Sequence, residues 1–402
     1  MSLSPQTLNI ADFDYELPSS RIANYPAQKR SASKLLISKN RKAICQDYFY
    51  NLHNYLPDSG LLIFNNTRVV QARLKFRKES GAGIEIFCLQ PVSPVSIVEQ
   101  SFKHFSPVIW KCFIGNARKW KSGLLSLDLD WGKLYAEKLG IDGNAWQVRF
   151  SWTPASLSWG EILEKAGQVP LPPYINRESE PTDKKRYQTV FASKEGSVAA
   201  PTAGLHFTPA VFDNLKTKNI RQTYLTLHVG AGTFKPVVSE SLQDHSMHRE
   251  QMVISRETLE ELLNTPLEKT IAVGTTAVRT LESLYCYATL LKDQPDAAFH
   301  IEQWQAYKMK HPMPREEALS LLLEKMKREN RTVFHGTTQL LIAPGYQYQM
   351  TGGMLTNFHQ PKSTLLLLLA AFTGEHWKKA YTYALENDFR FLSYGDSCLF
   401  LP

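Results

Sequence analysis

The spacing of apolar residues divides the chain into stretches of different character. The first 69 residues alternate short apolar runs with turn residues, and the run at 61–64 ends in Asn-Asn-Thr, as a buried strand followed by a turn does. From about 73 to 158, short aromatic or β-branched segments are separated by Gly, Asn, Asp and Ser; they lie at 84–89, 108–114, 124–129 and 146–152. This spacing predicts a small antiparallel β-barrel or sandwich inserted into a larger domain.

After residue 200, helical periodicity alternates with short strands. The pattern predicts helices at 208–218, 255–263, 277–291, 315–328, 363–372 and 377–387, and strands at 222–228, 270–273 and 350–356. We therefore expect an α+β fold (mixed α/β), with residues 1–72 and 159–402 in the larger domain and 73–158 in the inserted one. Residues 290–332 are polar and contain prolines, so we expect a surface insertion that ends in a helix.

The composition is that of a globular protein with a basic surface. Of 402 residues 43% are hydrophobic, and 46 Lys and Arg against 38 Asp and Glu give a net charge of +8. A disordered or fibrous protein is therefore excluded. The charge favours a polyanionic partner, but a basic enzyme without a nucleic-acid role carries such a charge as well, so charge alone does not decide.

The cysteines and the apolar runs indicate a compartment. The five cysteines are widely spread and form no Cys-x-x-Cys pair, so we expect neither a disulfide scaffold nor a thiolate zinc site, and a reducing cytoplasm. The first 12 residues lack the features of a secretory signal. The most apolar run, 365–372, has eight residues, and a membrane span needs roughly 20.

A loop of small residues forms the first candidate site. Positions 196–207 read Gly-Ser-Val-Ala-Ala-Pro-Thr-Ala-Gly-Leu-His-Phe, just before a predicted helix. Small residues let a ligand approach the backbone, and Thr202 offers a hydroxyl. His206 is either a ligand contact or a structural histidine, and the sequence leaves both open.

Two further clusters place histidines near strand ends. Positions 226–234 read Thr-Leu-His-Val-Gly-Ala-Gly-Thr-Phe and include His228, but the glycine spacing is not that of a dinucleotide fingerprint. Positions 244–250 hold His245, His248 and Glu250, which suit acid–base chemistry or metal binding. Because no further ligands follow at a recognisable spacing, we do not expect a metal.

Two strand–turn–helix junctions complete the candidate chemistry. At Gly-Thr-Thr, 274–276, we expect Thr275 or Thr276 to cap the helix, and the free amides there to suit an anionic group. The other is Thr-Asn-Phe-His at 356–359. If the strands are neighbours, all these turns converge on one cleft. The absence of a P-loop, a Gly-x-Ser-x-Gly elbow and a Cys–His pair makes kinase and simple hydrolase functions less favoured.

Together these motifs resemble the S-adenosylmethionine:tRNA ribosyltransferase-isomerase family of queuosine biosynthesis. The similarity begins with Phe-Asp-Tyr-Glu-Leu-Pro at 13–18, continues through 187–207, 226–237 and 356–368, and ends at 391–396. The resemblance implies transfer of the ribosyl part of S-adenosylmethionine to 7-aminomethyl-7-deazaguanine at the tRNA wobble position, giving epoxyqueuosine, adenine and methionine. It also implies a larger α/β domain around a β-barrel-like sheet, with a smaller inserted β-barrel.

The implied reaction requires proton transfers near neutral pH, for which histidine is suited. The candidate catalytic residues are His206, His228, His248, Glu250 and His359, and the step that each performs is left open. The candidates for binding S-adenosylmethionine are Thr202, Gly204, Phe207, Gly230, Gly232, Thr233, Thr275 and Asn357.

The second implied partner is a tRNA anticodon arm that carries the aminomethyl base. Basic and aromatic residues are the candidate contacts, because phosphates attract cations and splayed bases stack on rings. They are Arg68, Arg73, Arg118, Lys119, Lys121, Lys184, Lys185, Arg186, Tyr187 and Lys362. A solvated surface is the alternative for each basic group. We expect a monomer without a membrane partner.

Three positions depart from the family pattern and motivate an alternative function. Family members often have Asp where this chain has Asn66, usually Asp where it has Gly352, and commonly Leu where it has Gln360. If a missing carboxylate were essential, the chain would be a tRNA-binding homologue with reduced or lost catalysis. An ordinary methyltransferase is a third hypothesis, but the glycine-rich strand–loop–helix expected near its start is absent.

Overall fold

The computed structural model describes residues 5–230, 242–309 and 312–402. The strands are β1 Lys34–Lys39, β2 Ala43–Tyr48, β3 Leu61–Asn65, β4 Thr67–Val69, β5 Arg73–Arg77, β6 Gly83–Ser93, β7 Val108–Gly115, β8 Leu124–Leu129, β9 Gly132–Asp142, β10 Ala145–Thr153, β11 Lys194–Ser197, β12 Arg221–His228, β13 Glu250–Ser255, β14 Thr270–Val273, β15 His300–Ile301, β16 Val333–Thr338, β17 Gly353–Asn357 and β18 Ser397–Leu401. The helices are α1 Val98–Ser101, α2 Trp159–Ala166, α3 Asp183–Arg186, α4 Pro209–Lys216, α5 Arg256–Leu263, α6 Thr275–Asp293, α7 Arg315–Arg328, α8 Thr364–Thr373 and α9 His376–Glu386.

Ten strands form one sheet, in the order β15-β16-β13-β12-β3-β14-β17-β18-β1-β2. The central strands β12, β3, β14 and β17 pair in parallel. Every residue of β3, β14 and β17 is buried, as expected for parallel strands covered on both faces. Parallel strands end at the same edge of a sheet, so the turns after Val273 and Asn357 meet there. The prediction of a mixed α/β fold is confirmed; closure of this sheet into a barrel stays a prediction.

The helix α6 lies at the centre of the larger core. It begins at the carboxyl end of β14, and most of its side chains are buried. The apolar run at 365–372 lies within α8, where the Ser363 hydroxyl caps the helix by accepting from Leu366 N at 3.2 Å. Among the described residues, the helices are all too short or too polar to cross a membrane.

A second sheet of six antiparallel strands covers the region predicted as a small β domain. Its order is β5-β6-β7-β10-β9-β8, and its edge strands β5 and β8 also lie against each other, so it is nearly closed. The Trp159 ring of α2 packs inside, with ring centroids 4.7 Å from Phe150 and 5.5 Å from Trp152. The predicted barrel-like sheet is therefore present, whereas the division into two domains at 72/73 and 158/159 stays a prediction.

The stretch at 290–332 contributes to the main core. β15 is an edge strand of the ten-stranded sheet. One face of α7 buries Ala318, Leu319, Leu322 and Met326 completely, and the opposite face is exposed. This stretch therefore joins the main core through β15 and one face of α7, and its status as an insertion stays a prediction.

Candidate active site

A cavity of about 70 Å³ lies at the edge where the central parallel strands end. Three turns form its walls: the small-residue loop at 199–203, the start of α6 at 274–276, and the turn after β17 at 356–360. Four of the predicted residues line it together, namely Thr202, Thr275, Asn357 and His359. Three of the predicted polar turns thus converge on one cleft, whereas His228 and His248 do not line it.

A chain of hydrogen bonds between uncharged side chains runs from this cavity into the core. Thr202 Oγ1 donates to Asn357 Oδ1 at 2.8 Å, Asn357 Nδ2 lies 3.1 Å from His206 Nε2, and His206 Nδ1 lies 2.8 Å from Ser33 Oγ. Because the amide nitrogen can only donate, Nε2 must accept, and the ring proton is assigned to Nδ1. We refer to these four residues as the neutral chain.

His206 lies behind the cavity rather than in it. Its ring is buried, and Asn357 separates it from the cavity. Burial lowers the pKa of His206 to about 3, so the imidazole is neutral at physiological pH. His206 is therefore a structural histidine that holds Asn357, and it affects a ligand only through Asn357.

His359 is the histidine that faces the cavity. Its Nε2 lies 3.1 Å from Thr356 Oγ1, and its backbone N–H donates to the Tyr381 hydroxyl at 2.9 Å. Its carbonyl accepts from the Tyr15 hydroxyl at 2.5 Å. Burial lowers the pKa of His359 to about 3. The ring is therefore neutral and held in one orientation.

The expected threonine cap of α6 is wrong. The N-cap residue is Gly274, with a φ of 88° and no side-chain capping bond. Only glycine adopts this φ without strain, so the backbone turns tightly and both threonines fall inside the helix. Thr275 and Thr276 line the cavity instead. The Thr276 hydroxyl is buried without a hydrogen-bond partner among the described residues, which marks a place for a ligand group.

Tyr174 and Ser393 belong to the cavity, although the sequence did not single them out. Both line it, and the Tyr174 hydroxyl lies 2.6 Å from Ser393 Oγ. Burial raises the pKa of Tyr174 to about 12, so the phenol stays protonated. Tyr174 ends the segment Pro-Leu-Pro-Pro-Tyr. The prolines restrict the backbone there, and this restriction is the sequence feature that could have pointed to Tyr174 as a site residue.

Glu250 is one half of a buried ion pair. Its Oε2 accepts from the guanidinium of Arg279, which lies one turn beyond Thr275 on α6, and its Oε1 accepts from Gly230 N at 3.3 Å. Burial lowers the pKa of Arg279 to about 10, which leaves it charged at neutral pH. Glu250 is thus a compensated carboxylate beside the α6 terminus, and not a free base. We refer to Glu250 and Arg279 as the buried ion pair.

The other predicted catalytic and cofactor residues that the structure describes do not line this cavity. His228 Nε2 lies 3.8 Å from Glu99 Oε1. His248 is exposed. Phe207 is fully buried against Phe49 and Phe64. A side chain at Gly204 would meet the Phe191 ring at 2.6 Å, so this glycine serves packing. Gly230 contacts Glu250, and Gly232 and Thr233 lie outside the described residues.

The predicted tRNA contacts fall into three groups. Exposed cations are the first group; they are Arg118, Lys119, Lys121, Lys184 and Lys185. Paired cations are the second: Arg68 with Glu195, Arg73 with Glu85, and Lys362 with Asp14. The third comprises Arg186, half-buried, and Tyr187, fully buried. Arg68, Lys184 and Tyr187 share a polar cleft of about 490 Å³ with Glu99 and Lys103.

Neither missing carboxylate belongs to the cavity. A side chain at Gly352 would approach the carbonyl oxygen of Leu267 to 1.8 Å, and this glycine lies beside β17 at the end of the strand remote from the cavity. Asn66 Oδ1 accepts from Thr226 Oγ1 at 2.8 Å, outside the cavity lining. Gln360 does line it. The departures at 66 and 352 therefore leave the cavity chemistry intact.

Comparisons with known proteins agree with the motifs. Residues 10–400 match the family described as queuosine biosynthesis protein. Relatives named S-adenosylmethionine:tRNA ribosyltransferase-isomerase are 37% identical in Trichlorobacter lovleyi, over 97% of this chain and 99% of theirs, and 38% identical in Sulfurihydrogenibium sp., over 98% and 99%. A third, from Citrifermentans bemidjiense, is 36% identical over 96% and 98%.

A solved structure is also similar. The S-adenosylmethionine tRNA ribosyltransferase of Thermotoga maritima is 27% identical, over 97% of this chain and 100% of that chain, with a TM-score of 0.46. The resemblance carried by the motifs is confirmed by the sequence matches: the chain belongs to the queuosine biosynthesis protein family, together with the relatives named S-adenosylmethionine:tRNA ribosyltransferase-isomerase.

Proposed function

We propose that this protein transfers and isomerises the ribosyl moiety of S-adenosylmethionine onto 7-aminomethyl-7-deazaguanine at the wobble position of tRNA. The products are epoxyqueuosine-tRNA, adenine and methionine. The observation that carries the proposal is the family match over residues 10–400, in a chain whose polar turns meet in one cavity. The alternative, a tRNA-binding homologue with lost catalysis, was motivated by Asn66 and Gly352; neither lines that cavity, and the product assay separates the two functions.

The lining of the cavity supports binding of the ribosyl part of the donor. Thr202, Thr275, Thr276 and Asn357 line it, and hydroxyl and amide groups are suited to sugar hydroxyls. Pockets for whole ligands measure roughly 300–1,000 Å³, so a cavity of about 70 Å³ accepts one portion of S-adenosylmethionine. The described residues therefore form one end of the proposed site.

Burial also supports the nucleophilic role of the aminomethyl group. A free amine is protonated at neutral pH and must lose its proton before it attacks. The environment that lowers the pKa of His359 to about 3 disfavours any cation, so it favours the neutral amine in the same way. We assign His359 to orienting this group by accepting a hydrogen bond. Glu250 and Arg279 fix the start of α6, and His206 fixes Asn357.

The decisive experiment measures products. The protein is incubated with S-adenosylmethionine and tRNA that carries the aminomethyl base, followed by chromatography of the small molecules and mass spectrometry of the tRNA. We expect adenine release with a matching mass gain on the tRNA. Binding of tRNA without adenine release would support the non-catalytic homologue, and S-adenosylhomocysteine would support a methyltransferase.

The remaining assignments belong to the same proposal. S-adenosylmethionine is a co-substrate, the macromolecular partner is the tRNA anticodon arm, and the protein acts as a monomer in the cytoplasm. The free state of all five cysteines supports a reducing compartment. In the described part of the chain, no cluster of three or more His, Cys, Asp or Glu side chains that could hold a metal is present.

A further inference from the structure

Three arginines lie directly behind the candidate active site. A small cleft of about 10 Å³, room for one water-sized group, is lined by Arg30, Arg186 and Arg390, with His206 and Ser393 among the other lining residues. Ser393 also lines the active-site cavity. The two openings therefore share a wall, and a phosphate oxygen that enters the cleft lies one residue away from the cavity.

The charges of two of these arginines are not compensated. Arg390 pairs with Asp396 at 3.2 Å. Across 5–230, 242–309 and 312–402, no carboxylate forms an ion pair with Arg30 or Arg186, although both are half-buried. Burial, and then the neighbouring charge of Arg186, lower the pKa of Arg30. Two like charges held together out of water are unfavourable unless an anion joins them.

The same guanidinium groups are fixed in position by the backbone. Arg30 donates to the carbonyls of Lys185, Gln188 and Leu205, at 2.5, 2.7 and 3.2 Å. Arg186 donates to the carbonyls of Ala27 and Gln28. A guanidinium has five N–H donors, so both retain donors for a ligand. Side chains that are already ordered lose little entropy when they bind an anion.

We propose that Arg30, Arg186 and Arg390 bind a backbone phosphate of the RNA substrate, next to the nucleotide whose aminomethyl group reaches the cavity. This inference rests on the proposed function. Guanidinium groups bind phosphate oxygens in a bidentate geometry. The exposed ammonium groups of Lys29, Lys184 and Lys185 adjoin the cluster in sequence and extend the positive surface away from the cavity.

A neighbouring aromatic side chain favours RNA as the source of the anion. Tyr25 is 54% exposed, and its backbone carbonyl accepts from Arg390 at 3.4 Å. The guanidinium of Arg177, which pairs with Asp183, lies 4.2 Å from the Tyr25 ring centroid, and the Tyr25 hydroxyl donates to Glu180 Oε1. An exposed ring beside the three arginines is a surface on which a single-stranded nucleic acid stacks a base. The other anion in the reaction is the carboxylate of S-adenosylmethionine, and the test separates the two.

The first test compares charge-neutral variants in RNA binding. An anticodon stem-loop that carries the aminomethyl base is titrated with wild type, Arg186→Gln and Arg30→Gln, with Arg328→Gln on the exposed end of α7 as the matched control. We expect each cleft variant to bind roughly tenfold more weakly, since each loses charge-assisted hydrogen bonds to the phosphate. The slope of log K against log salt should fall by about 0.7. The control should match wild type.

The second test needs no protein variant, so it is independent of folding. Wild type is titrated with stem-loops in which one phosphate at a time, on either side of the target nucleotide, is a neutral methylphosphonate. We expect the replacement at one position to weaken binding by wild type about tenfold. The same replacement should leave binding by Arg186→Gln unchanged, because the variant has already lost that same contact.

The outcomes separate this inference from the proposed function. If the variants raise KM for S-adenosylmethionine and leave RNA binding unchanged, the cleft holds the carboxylate and the phosphate proposal is overturned. Uniform small effects of all methylphosphonates overturn it as well. If wild type releases no adenine but the phosphate and the Arg186 effects coincide, the phosphate site stands while the proposed reaction fails.

Discussion

The two sides of the cavity hold buried polar groups in opposite electrical states. On one side, the neutral chain joins Thr202 to Ser33 through an uncharged amide and an uncharged imidazole. On the other side, the buried ion pair fixes Glu250 to Arg279. Glutamate and histidine look equally suited to catalysis in a sequence. The difference shows that the bonded partner decides what each buried residue does. A neutral side chain such as His206 orients its neighbour, whereas a buried charge such as Glu250 must keep a partner of opposite charge.

The largest expected effect is on stability, from breaking the buried ion pair. Arg279→Met removes the guanidinium that neutralises the buried carboxylate of Glu250 and should lower the free energy of unfolding by about 3–5 kcal/mol. The double variant with Glu250→Gln should recover most of that loss, because no buried charge remains. Urea unfolding monitored by circular dichroism measures both. Equal losses in the single and double variants would contradict the assignment.

The two buried histidines near the cavity, His206 and His359, give the next effect, through pH. In the folded protein the pKa values of His206 and His359 are about 3, whereas an unfolded histidine titrates near 6.5. Between those values the unfolded state binds more protons, so stability is lost as pH falls below about 6.5. From pH 7 to pH 5 each histidine should cost about 2 kcal/mol.

His359→Gln isolates one of the two contributions. Its unfolding free energy should fall by about 2 kcal/mol less than that of wild type between pH 7 and pH 5, since one titrating group is gone. Denaturant titrations at both pH values give the difference. His53→Gln is the control, at a histidine away from the cavity. The same acid loss in wild type and His359→Gln would mean that His359 is not buried in its neutral form.

The third prediction concerns turnover. His206→Ala removes the acceptor that holds the Asn357 amide, so kcat for adenine release should fall at least tenfold, about 1.4 kcal/mol of barrier. His206→Gln places an amide oxygen that can replace Nε2 and should restore much of the rate. The pH profile between 6 and 8 should be unchanged in both. A positioning role fails if the glutamine variant is as slow as the alanine variant.

The sequence predicted the elements of the site better than the function of each residue. Strand–turn–helix patterns located Thr202, Thr275, Asn357 and His359 on one edge, because parallel strands bring their ends together whatever the long-range order is. Side-chain partners depend on that order. Asn357 and His206 are 151 residues apart, and Glu250 and Arg279 are 29 apart. No local pattern encodes such pairings.

Backbone conformation was the second feature that the sequence concealed. A Gly-Thr-Thr turn predicts a threonine cap, yet the positive φ of Gly274 moves the helix start by one residue. Both threonines then line the cavity. The sequence predicted Thr275 but not Thr276 as a binding residue, and the buried Thr276 hydroxyl motivates the smallest of the expected effects.

Thr276→Val tests whether the unpartnered hydroxyl in the cavity serves a ligand. Removing a buried hydroxyl that has no partner should change the unfolding free energy by less than about 1 kcal/mol, with either sign. If that hydroxyl binds substrate, KM for S-adenosylmethionine should rise about fivefold to tenfold, since one lost hydrogen bond costs about 1 kcal/mol. Thr289→Val, whose hydroxyl bonds to the Cys286 carbonyl within α6, is the matched control and should leave KM unchanged. An unchanged KM in Thr276→Val would separate the hydroxyl from substrate binding, and it would leave Thr202, Thr275, Asn357 and His359 as the predicted residues that line the cavity.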